Sequence, residues 1–385
     1  MTSTVPTAGV RTYRSVTAEQ TWERIAHLLP AVGITRVADV TGLDELGIPV
    51  YLAVRPTSRT LAVSQGKGLT PIDSKVSAVM ESIETWHAEN VHLAPERVGP
   101  AREVCEAYDL PSYDLRSLSV APRPLLTDSL VLDWVTGPGL LTGTPHPVPL
   151  PALSLDARLG IAWDYIQFLP SSNGLASGNT ATEAKLHGLL EIVERDCTAQ
   201  LASTPLSQRR YTDPRTASAG PVHTVLDGFE AARCWLEVCD ATNELGVPCY
   251  VVYTWAADLP VLFAGAGCHP DPTVALLRAL TEAAQSRLTF ISGTRDDFAN
   301  AMYHGSRNFD ARPPVTHPAT ESVPDAPDLL SSLEGILGQI ARRVAARTGT
   351  EPFSVDLTRP EFAVPVWRTF APGLHFSGRH EVSRG

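Results

Sequence analysis

The chain has 385 residues, 43% hydrophobic and 19% charged, enough apolar side chains for one large or two ordinary domains. Its 31 basic and 42 acidic residues leave a net charge of −11, which argues against a nucleic-acid-binding surface. No apolar run reaches the roughly 18 residues of a membrane span, and MTSTVPTAGVRTYRS lacks the apolar stretch of a signal peptide, so a cytoplasmic protein without a membrane partner is expected.

In chain order, residues 1–13 read as a loose terminus and Thr17–Leu29 as an amphipathic helix opened by a Thr17/Gln20 capping box. Strands are expected at Arg36–Val40, Val50–Val54 and Leu61–Ser64. The last of these enters QGKG, read as a glycine-rich loop. Thr70–Glu89 reads as a helix with Thr70 as cap, Pro71 at its first position and Asp73 in its first turn. A short helix at Ala101–Tyr108 and strands at Leu130–Trp134 and Val148–Leu150 follow. Beyond residues 173–200, taken up below, 203–222 reads as a surface loop. A short helix near 223–229, strands at Cys234–Val238 and Val247–Tyr253, and a helix at Pro272–Leu288 come next. Residues 306–327 read as a loop, Leu329–Arg347 as a helix, Val364–Phe370 as a strand and Ser377–Gly385 as a polar tail. Strands and helices mix without a regular βαβ rhythm, so the fold class is α+β. The six cysteines contain no C-x-x-C pair and read as reduced, buried thiols.

The centre of the chain is Asn173–Cys197, a Gly- and Asn-rich loop running into a helix. At about 100° per residue, Glu183, Glu191 and Glu194 fall within roughly 80° of one another, beside the apolar stripe Leu186, Leu189, Ile192 and Val193. Carboxylates at the edge of a buried face need a partner, and a metal ion is a natural one. The segment recurs. At an offset of 110 residues Gly68 meets Gly178, Thr70 meets Thr180, Asp73 meets Glu183, Lys75 meets Lys185, Glu81 meets Glu191 and Glu84 meets Glu194. A fainter third copy at Pro272–Arg287 aligns Glu282 with Glu81 and Gln285 with Glu84. Helices packed by such stripes bring several carboxylates together, where bound cations stabilise them. The loops QGKG and ASGN, each before a helix N-terminus, would offer N–H groups to phosphate, and Lys67 a positive charge; together these suggest a Mg²⁺–nucleotide site. No Walker A pattern and no kinase signature set is present.

At these residues the sequence resembles the YcaO family. SQGKGLTPIDSKVSAVMESIETWHAE and NGLASGNTATEAKLHGLLEIVERD are similar to its two most characteristic segments, and the similarity continues through ALTEAAQSR and VPVWRTFAPGL. The resemblance implies a YcaO-type fold with Glu-bearing helices around ATP and Mg²⁺ as cofactors. It implies a single domain over 1–385, with an N-terminal subdomain at 1–60, a catalytic core at 61–378 and a tail at 379–385. It further implies phosphorylation of a backbone amide oxygen in a ribosomally made precursor peptide, followed by attack of a nucleophile and loss of phosphate. Carried over residue by residue, Glu81, Glu84, Glu183, Glu191 and Glu194 are the metal ligands, and Asn179 joins Glu183 in nucleotide binding. Arg287 of the Q-x-R stretch and Arg195 of E-x-x-E-R stabilise transferring charge. Arg14 and Thr21 stand where the family usually has lysine and serine. His87, His187 and His375 are candidate acids or bases.

Azoline-forming members often end in a PxPxP tail, whereas this chain ends HFSGRHEVSRG. GITRVADVTGLDELGIPVY and SRTLAVSQGKGLT resemble the TfuA-associated group, linked with backbone thioamides. A thioamide is the leading expectation, with a TfuA-like protein and a second copy of the chain as candidate partners. Stand-alone azoline or macroamidine formation is the alternative, a non-catalytic peptide-binding scaffold the alternative from another class, and a plain ATPase a further one.

Overall fold

A computed structural model describes residues 5–7, 10–109, 118, 125–127, 129–156, 164, 167–168, 170–294, 313–326 and 332–375. The expected tail at 377–385 and part of the expected loop at 306–327 lie outside these residues.

Three strand–helix units surround the centre. In the first, β3 (Arg36–Asp39), β4 (Val50–Val54) and β5 (Val63–Lys67) form an antiparallel sheet whose last strand leads into helix α2 (Pro71–Glu89). In the second, β9 (Leu175–Ser177) leads into α4 (Ala181–Ser203), while its sheet is completed by the C-terminal strands β15 (Phe353–Asp356) and β16 (Val366–Phe370). In the third, β11 (Trp235–Asp240), β12 (Cys249–Ala256) and β13 (Leu259–Cys268) lead into α6 (Pro272–Ser292). The strand order is the same each time, and the strand that feeds the helix lies at the end of the three.

Around these units, β1 (Val5–Thr7) and β2 (Val10–Arg14) form a hairpin where a loose terminus is expected, and α1 (Ala18–Ile25) follows with its Thr17/Gln20 capping box closed in both directions. β6 (Arg97–Pro100), β7 (Val131–Pro138) and β8 (Pro145–Pro149) make another sheet, with α3 (Ala101–Glu106) beside it. β10 (Arg210–Asp213) and β14 (Glu321–Ser322) extend the third unit to five strands, so the polar 203–222 stretch is part strand rather than loop. Helices α5 (Gly220–Ala231) and α7 (Leu333–Thr348) cover the two faces of that sheet. β12 is buried along its whole length: Val251 and Tyr253 pack toward α4 and α7, Val252 and Tyr250 toward α5 and α6. A strand covered on both faces needs apolar residues at every position, which is why CYVVYTWA carries no alternation.

QGKG is not a loop. Gln65, Gly66 and Lys67 are paired with Leu52, Tyr51 and Val50 in the sheet. The glycine serves helix packing: a Cβ on Gly66 would stand 2.1 Å from both Ala78 N and Ser74 O of α2. Gly267 is its counterpart in the third unit, with Ala275 O at 2.2 Å and Ala279 N at 2.6 Å. The repeated lysines also share one environment. Lys75 Nζ lies 3.7 Å over the Trp22 ring and Lys185 Nζ 3.8 Å over Trp367. All six cysteines are free, and all but Cys234 are buried.

Candidate active site

Thr70 and Thr180 cap α2 and α4, each accepting the N–H of the residue three positions on at 3.2 Å. The caps fix the rotation of both helices and with it the direction of their glutamates. Glu81 Oε2 accepts the Gln65 N–H at 3.3 Å. Glu84 reaches across to the second unit, accepting the Ser177 N–H at 3.0 Å and its hydroxyl at 2.6 Å. Glu194 in turn reaches the third unit, accepting the Cys268 N–H at 2.9 Å. Glu282 accepts the Ala266 N–H at 3.4 Å, as Glu81 does in its own unit. The second acid of each helix thus points at the strand of the next unit. α6 carries Gln285 there instead, and its amide donates to the Gln65 side chain of β5 at 3.3 Å, completing the ring.

This wheel brings Glu81, Glu84, Glu191, Glu194 and Glu282 into one electrostatic neighbourhood. Burial, with Glu81 and Glu191 nearby, raises the Glu84 carboxyl to about 8 despite its two Ser177 bonds. Burial, then Glu282 and Glu191, raise Glu194 to about 7, against the pull of Arg278 and Lys67. Glu191 is paired with Arg195, whose Nη2 donates at 2.5 Å and Nε at 3.1 Å. Lys67 Nζ is paired with Glu282.

Glu183 is buried and its carboxylate is bound on both oxygens. Oε1 takes the Ser15 N–H; Oε2 takes the Asn179 N–H at 2.8 Å and side-chain amide at 3.2 Å. Thr21 Oγ1 donates to Asn179 Oδ1 at 3.0 Å. The β2–α1 corner is therefore clasped to the start of α4, and Arg14 comes close enough to act on His187 and His269.

Arg287 is not brought to the glutamates. It follows Gln285 by about 200° around α6 and is buried on the far face, paired with Asp258 and, at 3.5 Å, with Asp44. His87 is buried, pushed down to about 4 by burial, with Nδ1 2.7 Å from Ile83 O. His375 N–H donates to buried Asp196 at 2.8 Å. The groups sequence reasoning missed are the cation Arg278 and its neighbour His269, which burial and Arg278 push down to about 3 and so keep neutral. Arg278 stands at the third-copy position equivalent to His187, an alignment the repeat already contains.

The residues fit a hard divalent cation. Two carboxyls are lifted into the neutral range by burial and by the neighbouring Glu81, Glu191 and Glu282, and every donor in the set is oxygen. Among the described residues no three acidic, histidine or thiol groups close on one point. Mg²⁺ typically binds through one or two carboxylates, completed by water and phosphate oxygens.

A family model described as YcaO cyclodehydratase, ATP- and Mg²⁺-binding, matches residues 65–375. The chain belongs to the YcaO family. A Mycobacterium tuberculosis protein without an assigned role is 40% identical over 381 residues, 95% of this chain and 83% of its own. A Rhizobium leguminosarum protein from the region 3′ of tfuA is 37% identical over 387 residues, 95% and 90% of the two chains. The solved YcaO of Methanopyrus kandleri, bound with AMPPCP and Mg²⁺, is similar at TM-score 0.68 and 26% identity over 97% of this chain and 95% of that one. A heterocyclase solved in complex with substrate and cofactor shares the fold at TM-score 0.75 and 22% identity. The match covers 95% of this YcaO chain but 53% of the heterocyclase.

Proposed function

We propose that this YcaO protein uses ATP to phosphorylate a backbone amide oxygen of a precursor peptide, and that a sulfide source then converts the activated amide to a thioamide. The observation that carries the reading is the wheel of carboxylates, in which Glu84 and Glu194 are held at the edge of neutrality, Glu194 facing Lys67 and Arg278. Such a site wants cations on one side and anionic oxygens on the other, as a Mg²⁺–nucleotide supplies.

Glu81, Glu84, Glu183, Glu191 and Glu194 would hold Mg²⁺ ions, one or two carboxylates to each, and bound Mg²⁺ neutralises charge on the phosphate oxygens. Asn179, Thr21 and Arg14 line the nucleotide's approach, with Lys67 able to exchange Glu282 for a phosphate oxygen. The chain's work is positioning and charge neutralisation. The amide oxygen bonds to the γ-phosphorus as the bond to ADP breaks. Sulfide adds to the amide carbon, and the C–O bond breaks to release phosphate. The relative beside tfuA supports the thioamide outcome and a TfuA-like partner.

Azoline formation is the second reading, favoured by the cyclodehydratase description of the family model. Mass spectrometry of the reacted precursor peptide separates them: exchange of one oxygen for sulfur supports the thioamide, whereas loss of one water assigns the azoline or amidine. Heavy oxygen moved from the amide into released phosphate supports amide phosphorylation, and its absence leaves a plain ATPase.

A further inference from the structure

His187 and Arg278 carry a feature that the glutamate wheel does not use. On α4, His187 lies about 40° from Glu183 and Glu191 and about 20° from Glu194, on the same face. Its Nε2 is 3.4 Å from Arg278 Nη2, which reaches it from α6. A guanidinium donates and never accepts, so Nε2 is the acceptor and the imidazole proton sits on Nδ1. That Nδ1 is buried and has no hydrogen-bond partner, and neither does Arg278 Nε. Buried donors without acceptors are costly, and several in one place favour an anion. Their surroundings agree: Arg14, Lys67 and His269 all act on His187, and Lys67 and Arg278 act on Glu194. One side of the site is a wall of cationic and N–H donors, the other a wheel of carboxylates.

We infer that His187 Nδ1–H and Arg278 Nε each receive a phosphate oxygen of the bound nucleotide, His187 as a neutral donor and Arg278 as the guanidinium whose Nη2 fixes its tautomer. This assignment rests on the nucleotide reading above. It replaces an acid–base role for His187 with a hydrogen-bonding one, because burial, reinforced by Arg278, Arg14 and Lys67, keeps the ring unprotonated. It also moves the phosphate-contacting arginine from Arg287 to Arg278.

The test is calorimetric titration of the purified protein with Mg²⁺ and AMPPCP. His187→Ala should weaken binding about tenfold to a hundredfold, the range for a hydrogen bond to a charged group. His187→Asn, whose amide N–H stands near the position of Nδ1–H, should recover most of it. Arg278→Gln should lose at least as much as His187→Ala. In the unmodified protein, nitrogen NMR should find the Nδ1–H tautomer and a downfield shift of that proton when Mg²⁺ and AMPPCP are added. If His187→Ala binds like the unmodified protein while Glu194→Gln does not, the His187 assignment fails and the nucleotide reading stands. If the unmodified protein itself binds no Mg²⁺–AMPPCP, both fail. Equal losses in His187→Ala and His187→Asn, with no movement of the Nδ1 proton, reduce His187 to a packing role and overturn the assignment.

Discussion

Glu84 on α2 accepts both the backbone N–H and the hydroxyl of Ser177 on β9, joining two units of the wheel through one carboxyl group. Two donors would ordinarily lower a carboxyl, yet burial and the neighbouring Glu81 and Glu191 raise it to about 8. The site therefore resists the charge that function needs, and a cation relieves it.

A pH dependence follows. In metal-free protein the folded form holds protons on Glu84 and Glu194 that the unfolded chain has released, so stability falls as pH rises through about 7 and then about 8. His87 and His269, pushed below 6.5 by burial, act in the opposite sense but finish titrating below that value. The window from pH 6.5 to 8 thus reports the carboxyls. Melting temperature with a chelator should fall across it, and Mg²⁺ should reverse the fall. Glu84→Gln keeps the Ser177 bonds through its amide oxygen, so it should flatten the slope while abolishing turnover. A flat profile in the unmodified protein would remove Glu84 from this account.

Glu191 links the two raised carboxyls, acting on Glu84 and on Glu194 and held by Arg195. Glu191→Ala should reduce Mg²⁺–ATP turnover by at least about a hundredfold, the loss typical of a group that stabilises transferring charge. Arg195→Gln should cost less in binding, because Arg195 meets the site through Glu191. Circular dichroism of both variants checks that the fold persists. Full turnover in Glu191→Ala would displace the metal site from this face of α4.

Much of this arrangement is legible in the chain. The offset of 110 residues aligns the caps Thr70 and Thr180, the glutamates, and even Lys75 and Lys185, each of which ends over a tryptophan ring. What the offset does not carry is the direction of the wheel. That Glu84 turns to Ser177 rather than to its own strand depends on how the units pack, which no local periodicity encodes. QGKG misleads for a related reason: glycine marks close backbone approach as readily as a loop, and at Gly66 the approaching backbone is α2. The N-terminal hairpin is short and has no alternating apolar face, yet it places Ser15 against Glu183. Arg287 shows the limit of carrying a motif over, since its neighbour Gln285 faces the wheel and Arg287 faces Asp44.

Arg287→Met tests that placement. The Asp44 side chain is 1% exposed and its carboxyl is raised by burial, with Arg287 as a compensating charge. Removing the guanidinium leaves Asp44 buried without it, at a cost of about 3 kcal/mol or more. The variant should melt early, with the nucleotide affinity of the surviving folded fraction unchanged. Asp258 is 66% exposed at its side chain, and Asp258→Asn should be nearly neutral. A variant of Arg287 with normal stability and lost nucleotide binding would restore it to the site.

Gly66 offers a purely steric test of the wheel. A methyl group there meets the backbone of α2 at 2.1 Å on two atoms, neither of which can rotate aside. Gly66→Ala must push α2 off β5, moving Glu81 and Glu84 away from Gln65 and Ser177. We expect a loss of about 3 kcal/mol, at the upper end for overpacking, together with loss of Mg²⁺–nucleotide binding. Gly220 opens α5 with nothing within 4 Å of where a Cβ would stand, so Gly220→Ala is the matched control and should leave both properties intact. Chemical denaturation of the two variants side by side gives the comparison. Equal stabilities would mean that strand and helix are not in contact at Gly66.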